Sequence, residues 1–315
     1  MSVTAYIDGR EGTTGLQLQE RLARHPEVRL LTIDPEKRKD PRAKLMNESD
    51  VTFLCLPDEA AREAVPLVTN PLTRVIDAST AHRTAPGWAY GFPELSAAHR
   101  LAVAEGKRIA NPGCHATGFL AAAYPLVALG LCGRGYPFTC HSVTGYSGGG
   151  KRMIASYRAA ERTADFDSPR QYGLTQAHKH LPEMQRVPGL LYPPVFNPIV
   201  ADYYCGMAVS TPLIPRLMER SVSRRALTEA LTQYYGGCPL IRVCDGPESG
   251  FLPANGQANR PGLTLYVLGD DQRMTLVSLF DHLGKGASGA AVQNMNIAFG
   301  LPETMSLTAA EEEQE

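Results

Sequence analysis

Along the first hundred residues, short apolar runs alternate with segments whose apolar positions recur every few residues. "TAYI" (residues 4–7) leads through a glycine-rich turn into "LQLQERLARHP", where Leu16, Leu18 and Leu22 suit the opening of a helix, and "VRLLTI" follows as a second strand. The order continues in "DVTFLCLP", the helical "DEAAREAVPLV" and "TRVIDAS". Such alternation is the pattern of a parallel sheet covered by helices, so about the first 110 residues predict a Rossmann-like domain. The small, apolar, helix-like run that opens at Cys114 comes next, interrupted by Pro125. Beyond it, "YPFTCHSVTGYSGGG", "NPIVADYYCGMAVSTPLI" and "LTLYVLGDDQRMTLVSLFD" are β-rich and broken by glycine and proline, which predicts a second domain with a mixed sheet. "GASGAAVQNMNIAFGL" returns to small helix formers, and "AAEEEQE" reads as a solvated tail.

A chain of 315 residues exceeds what one hydrophobic core usually serves, in keeping with two domains. Lys and Arg number 31 against 32 Asp and Glu, a balance that offers no basic surplus to a nucleic-acid backbone. No stretch approaches the roughly 20 apolar residues of a membrane-spanning helix, so neither nucleic acid nor membrane is an expected partner. Seven cysteines without a CxxC pair, behind a start "MSVTAYIDGREG" that lacks an apolar signal segment, predict a reduced, cytoplasmic protein.

Two patterns carry chemistry. Gly9, Gly12 and Gly15, with Thr13 and Thr14 between them, sit where a strand turns into a helix. There, glycines let backbone amides approach a pyrophosphate at the helix N-terminus. The spacing is GxxGxxG rather than GxGxxG, and a tight turn with no ligand is the plainer reading of three glycines alone. After the second strand, Asp34 is placed to bond a ribose hydroxyl, whereas Lys37, Arg38 and Lys39 suit the 2′-phosphate of NADP. A solvated loop is the ordinary fate of such charges.

The second pattern is Cys114. Most free cysteines are small core residues, but this one follows proline and glycine at a helix start, where first-turn amides and the helix dipole favour a thiolate. His178 and His180 of "QAHKHLPEMQ" are candidates for its partner. Two apart, they face one side if the segment is extended, and Pro182 biases Leu181 away from helix. A surface turn or a metal pair is the alternative, but the metal pair needs a third ligand that no spacing nominates. His115 directly follows Cys114 and is expected to point elsewhere on the helix.

"IDGREGTTGLQLQERL", "VIDASTAHR", "YGFPEL", "NPGCHATG", "TGYSGGGKRMI", "AHKHLPEM" and "HLGKGASGAAVQNMNIAFG" together resemble the shorter variant of the N-acetyl-γ-glutamyl-phosphate reductases, relatives of aspartate-semialdehyde dehydrogenase, over residues 7–300. The resemblance implies an NADP-binding Rossmann domain over 1–113 with 286–315, and an α+β catalytic and dimerisation domain over 114–285. It implies NADPH-dependent reduction of a small acyl phosphate to a semialdehyde in arginine biosynthesis, through a thioester on Cys114, by a homo-oligomer (dimer or tetramer) without a metal. His178 and His180 correspond to the family's acid/base motif, with Lys179 where the family has arginine. Arg83 occupies the place of an arginine near phosphate, and Asn111, Lys179 and Ser147 are further substrate-binding candidates. Gln293 and Asn294 resemble the segment near the nicotinamide, with Asn294 as a cofactor ligand. The motif set favours N-acetyl-γ-glutamyl phosphate as substrate and N-acetylglutamate semialdehyde as product, with aspartyl or carrier-bound aminoadipyl phosphate as alternatives, and a cofactor-free cysteine acyltransferase is the rival that leaves the glycine turn without a role.

Overall fold

The computed structural model describes residues 2–32 and 42–307. The chain divides into two compact units, Met1–Gly113 with Ala287–Glu315, and Cys114–Gly286. The first holds six strands: β1 (Val3–Asp8), β2 (Val28–Leu31), β3 (Val51–Leu54), β4 (Arg74–Asp77), β5 (Ala89–Tyr90) and β6 (Arg108–Ala110). They form one parallel sheet in the order β2-β1-β3-β4-β6-β5. All four residues of β3 are buried, as in a central strand covered on both faces. Its helices are α1 (Thr13–Ala23), α2 (Arg42–Glu48), α3 (Asp58–Ala64) and α4 (Ala97–Glu105). In α1, which contains all three leucines of the expected helix opening, Leu18 and Leu22 share one face and are fully buried, while Leu16 lies off that face and is exposed.

The second unit opens with α5 (Cys114–Ala128), most of whose side chains are buried. Its strands are β7 (Thr139–Gly145), β8 (Arg170–Gln171), β9 (Val195–Ala201), β10 (Met207–Leu213), β11 (Ile241–Cys244), β12 (Leu263–Asp270) and β13 (Arg273–Phe280). They make a mixed sheet in the order β11-β12-β13-β10-β7-β9-β8. Strict in/out alternation along β10 presents one buried face. The α5 helix lies close on that sheet because Gly118 has no side chain. A Cβ there would come within 2.4 Å of Val209 Cγ2, and the Ser278 hydroxyl donates to the Gly118 carbonyl at 2.7 Å.

Pro125 does not end α5. It withdraws the amide that would bond the Ala121 carbonyl, and the Tyr235 hydroxyl donates to that carbonyl instead, at 2.7 Å. The helices α6 (Gly150–Arg158), α7 (Leu181–Arg186) and α8 (Arg224–Tyr234) complete this unit, and α9 (Gly289–Ala298) belongs to the first. Among the described residues no helix is long and apolar enough to cross a membrane.

Candidate active site

Cys114 is the first residue of α5 and is partly exposed, while the side chains of the next turn are buried. Gly286 keeps the space beside it narrow, because a Cβ there would lie 2.9 Å from Cys114 Cβ and 3.2 Å from Phe280 Cε2. The thiol and one ring nitrogen each of His115 and His180 all lie within 4.8 Å of one another. His178 stands edge-on to both rings, its centroid 5.4 Å from His115 and 4.7 Å from His180, and Phe196 packs against His115 and His178.

This cluster corrects two expectations. The segment carrying His178 and His180 is a turn, not an extended strand. His180 has helical backbone angles (φ −86°, ψ −14°), and Leu181 begins α7 with Pro182 in its first turn. Proline suits that position because the first helical amides have no partner to lose. Convergence of the two rings comes instead from a local bond, the His180 amide donating to His178 Nδ1 at 3.2 Å. A neutral His178 therefore carries its proton on Nε2. His115 does not point away either. Helix α5 sends it inward, where Nδ1 meets Ser142 Oγ and Nε2 meets the Tyr172 hydroxyl, each at 2.7 Å.

Burial, with the neighbouring positive charge of His178, His282 and Lys179, holds His115 well below the ordinary histidine range, so its ring is neutral near pH 7. Burial and the nearby Cys114 push the Tyr172 phenol well above its ordinary range, so it keeps its proton. Tyr172 and Ser142 had no signal in the chain's periodicity. Lys179 is exposed on the same turn. Ser147 is buried, donates to the Tyr204 carbonyl at 2.5 Å and lies 2.9 Å from His282 Nε2, so its hydroxyl is engaged with protein groups. The other thiols sit differently. Burial, with acidic neighbours, pushes Cys55 and Cys132 up to about 12, and burial alone carries Cys140 higher still.

In the first unit the glycine turn has the features of an anion cradle. Gly9 takes φ +82°, and a Cβ on it would strike the Cys55 carbonyl oxygen at 2.4 Å. A Cβ on Gly15 would strike the Gly9 oxygen at 2.6 Å. Both glycines serve the turn itself. Gly12 does not, since the nearest protein atoms to its Cβ position are 3.7 and 3.9 Å away. Gly12 caps α1 without a side-chain bond, and Thr13 Oγ1 is buried with no hydrogen-bond partner among the described residues. A cavity of about 300 Å³ adjoins the turn, lined by Asp8, Gly9, Arg10, Leu31 and Thr32 among others. The Gly12 amide donates to the Gly9 carbonyl at 3.2 Å, and the helix start, the buried Thr13 hydroxyl and the adjoining cavity fit a dinucleotide phosphate. Asp34, Lys37 and Arg38 lie outside the described residues.

Elsewhere in this unit, Arg83 donates through Nε to the Asn111 carbonyl (2.9 Å) and through Nη2 to the Ala78 carbonyl (3.2 Å). Asn111 in turn donates to the Ala287 carbonyl at 2.9 Å. Asn294 is fully buried and donates to Gly91 and Asn111, which leaves its Oδ1 without a partner among the described residues. A third group absent from the sequence reading is Asp77, buried, whose carboxylate accepts from Ser79 and lies 2.6 Å from His82 Nδ1, with His82 stacked on Trp88.

Two protein-family models match the chain: the NAD binding domain of semialdehyde dehydrogenases over residues 5–103 and their dimerisation domain over 114–282. N-acetyl-gamma-glutamyl-phosphate reductase 2 of Nostoc sp. is 44% identical over 316 residues, covering 96% of this chain and 98% of that protein. The reductase of Burkholderia ambifaria is 42% identical over 303 residues, covering 94% and 96%. Among solved structures, aspartate semialdehyde dehydrogenase II of Vibrio cholerae superposes with a TM-score of 0.73 at 15% identity, covering 95% of this chain and 99% of that one. On these matches, with a nicotinamide-cofactor domain and a cysteine-bearing second domain, the chain belongs to the N-acetyl-γ-glutamyl-phosphate reductase family of the semialdehyde dehydrogenases.

Proposed function

We propose that this chain uses NADPH to reduce N-acetyl-γ-glutamyl phosphate to N-acetylglutamate semialdehyde and phosphate, with Cys114 as the nucleophile, as a step of arginine biosynthesis. The observation that carries the reading is the thiol at the first position of a helix, within reach of two imidazoles. Cys114 Sγ attacks the acyl carbon, the carbon–oxygen bond to phosphate breaks, and phosphate leaves with the bonding pair. The thiolate gains from the α5 dipole, and Lys179, on the turn that carries His178 and His180, adds positive charge near His115. Arg83, fixed through its Nε to the Asn111 backbone, is the candidate to neutralise the departing phosphate, with the Asn111 amide as a further substrate contact.

When bound, NADPH supplies the hydride that reduces the thioester. His180 then gives a proton to the oxygen of the thiohemiacetal and takes it back as the carbon–sulfur bond breaks, which restores the thiolate and releases the aldehyde. His180 is the better held of the pair, since it is buried and its carbonyl caps the first turn of α7 by accepting from Met184 at 3.1 Å. His178 orients it through the backbone bond. Gly9, Gly12, Thr13, Thr14 and Gly15 hold the pyrophosphate, and Asn294 Oδ1 is an acceptor for an amide donor on the cofactor. Lys37 and Arg38 set the preference for NADP. The exposed apolar side chains Leu174, Leu191, Tyr192 and Val195 of the second unit suit a subunit contact, which supports a homo-oligomer, and seven free thiols suit the cytoplasm.

The test runs the reaction backwards. NADP reduction with N-acetylglutamate semialdehyde is expected to require phosphate and to exceed that with aspartate semialdehyde by at least ~100-fold, the discrimination that a site built for a hydrogen-bonding group can exceed. Equal rates with both aldehydes, or turnover without phosphate, would remove the assignment.

A further inference from the structure

The sequence left the pair His178 and His180 without a third metal ligand, and the fold joins only His180 of that pair to a ligand set, with Cys114 and His115. The geometry points to a soft divalent-cation site formed by Cys114 Sγ, His115 and His180, in which a Zn²⁺-class ion occupies the thiol reversibly and blocks it. A thiolate with two imidazoles is the donor set that selects zinc over magnesium or calcium. Three protein ligands leave the fourth tetrahedral position to water. Bonds of about 2.0–2.3 Å place such ligand atoms roughly 3.3–3.6 Å apart. The observed separations, within 4.8 Å, close to that by about an ångström of side-chain rotation.

The surroundings are those of a metal ligand's outer shell. Ser142 Oγ at His115 Nδ1 fixes that ring, as oxygen partners fix metal-binding histidines. The nitrogen left for the metal is Nε2, where the Tyr172 hydroxyl now sits at 2.7 Å and would have to yield. Binding of the ion to the thiol releases the thiol's proton: RSH + M²⁺ gives RS–M⁺ + H⁺. The site itself rests on geometry alone. Its consequence, inhibition of turnover, rests on Cys114 acting as proposed above.

The experiment titrates the reduced, full-length protein with Co²⁺ and with Zn²⁺ under anaerobic conditions, in the absence of substrate and cofactor. One equivalent of Co²⁺ is expected to give a sulfur-to-cobalt charge-transfer band with intense tetrahedral ligand-field bands, and Zn²⁺ to displace it. Cys114→Ser is expected to lose the charge-transfer band, and Cys114→Ser and His180→Asn each to weaken Zn²⁺ at least tenfold while retaining the wild-type melting temperature without metal. Zn²⁺ is expected to protect Cys114 from iodoacetamide and a chelator to restore labelling. Octahedral cobalt bands, unchanged Zn²⁺ affinity in both variants, or alkylation at the metal-free rate would overturn the site. Metal binding as described in a protein that reduces no acyl phosphate would contradict the catalytic reading and leave the site standing.

Discussion

Seven thiols share one chain, and their surroundings divide them. Cys55 and Cys132, pushed up to about 12, are almost wholly protonated at pH 8, and Cys140 more so. Iodoacetamide at pH 8 is therefore expected to label Cys114 while sparing those three, with peptide mass spectrometry as the measurement. Cys114→Ser should cost at least ~10³-fold in kcat with NADP affinity unchanged. His180→Asn should cost ~10²- to 10⁴-fold, the usual contribution of a positioned acid/base group, and activity within about tenfold of wild type would move that role to His178.

Two other imidazoles bear on stability. His115 and His282 are both buried and held below the ordinary value of 6.5, so the unfolded chain binds protons that the folded one refuses. Stability is then fully present above pH 6.5 and falls as pH drops below it, by up to about 1.4 kcal/mol per pH unit for each group. Urea midpoints at pH 5.5 and 7.5 check this, and His282→Asn should flatten the difference.

At the scale of elements, the glycine turn separates folding from binding. Gly15→Ala drives a Cβ to 2.6 Å from the Gly9 oxygen, and should cost ~1–3 kcal/mol. Gly12→Ala meets nothing closer than 3.7 Å, so it should cost no more than about 1 kcal/mol, as a poorer helix cap, while raising the Kd for NADPH at least tenfold. Thermal melts with and without NADPH distinguish the two. Equal loss of stability in both would assign all three glycines to the turn alone. The spacing of the glycines was legible in the sequence, but their division of labour was not, because it depends on where the Cys55 carbonyl passes. Likewise "HKH" announced paired histidines. The turn that joins them to His115 rests on a bond from the His180 amide to the His178 ring, which no periodicity encodes.

Across the whole molecule, the βαβ order was readable because parallel strands buried on both faces leave unbroken apolar runs such as "VTFL". The mixed sheet of the second unit was readable only as β-rich, since its pairings link strands far apart in the chain, β7 with β9 and β10 with β13. The same distance hid Tyr172 and Ser142 from view. The exposed apolar side chains of that unit predict a mass in solution that is a multiple of 34.1 kDa, measured by light scattering. The covalent intermediate gives the most direct test. Intact-protein mass spectrometry after mixing with N-acetyl-γ-glutamyl phosphate, without NADPH, should show one N-acetylglutamyl adduct that maps to Cys114, disappears in Cys114→Ser and is discharged by adding NADPH. An unmodified wild-type protein, or an equal adduct in Cys114→Ser, would contradict the thioester on which the account stands.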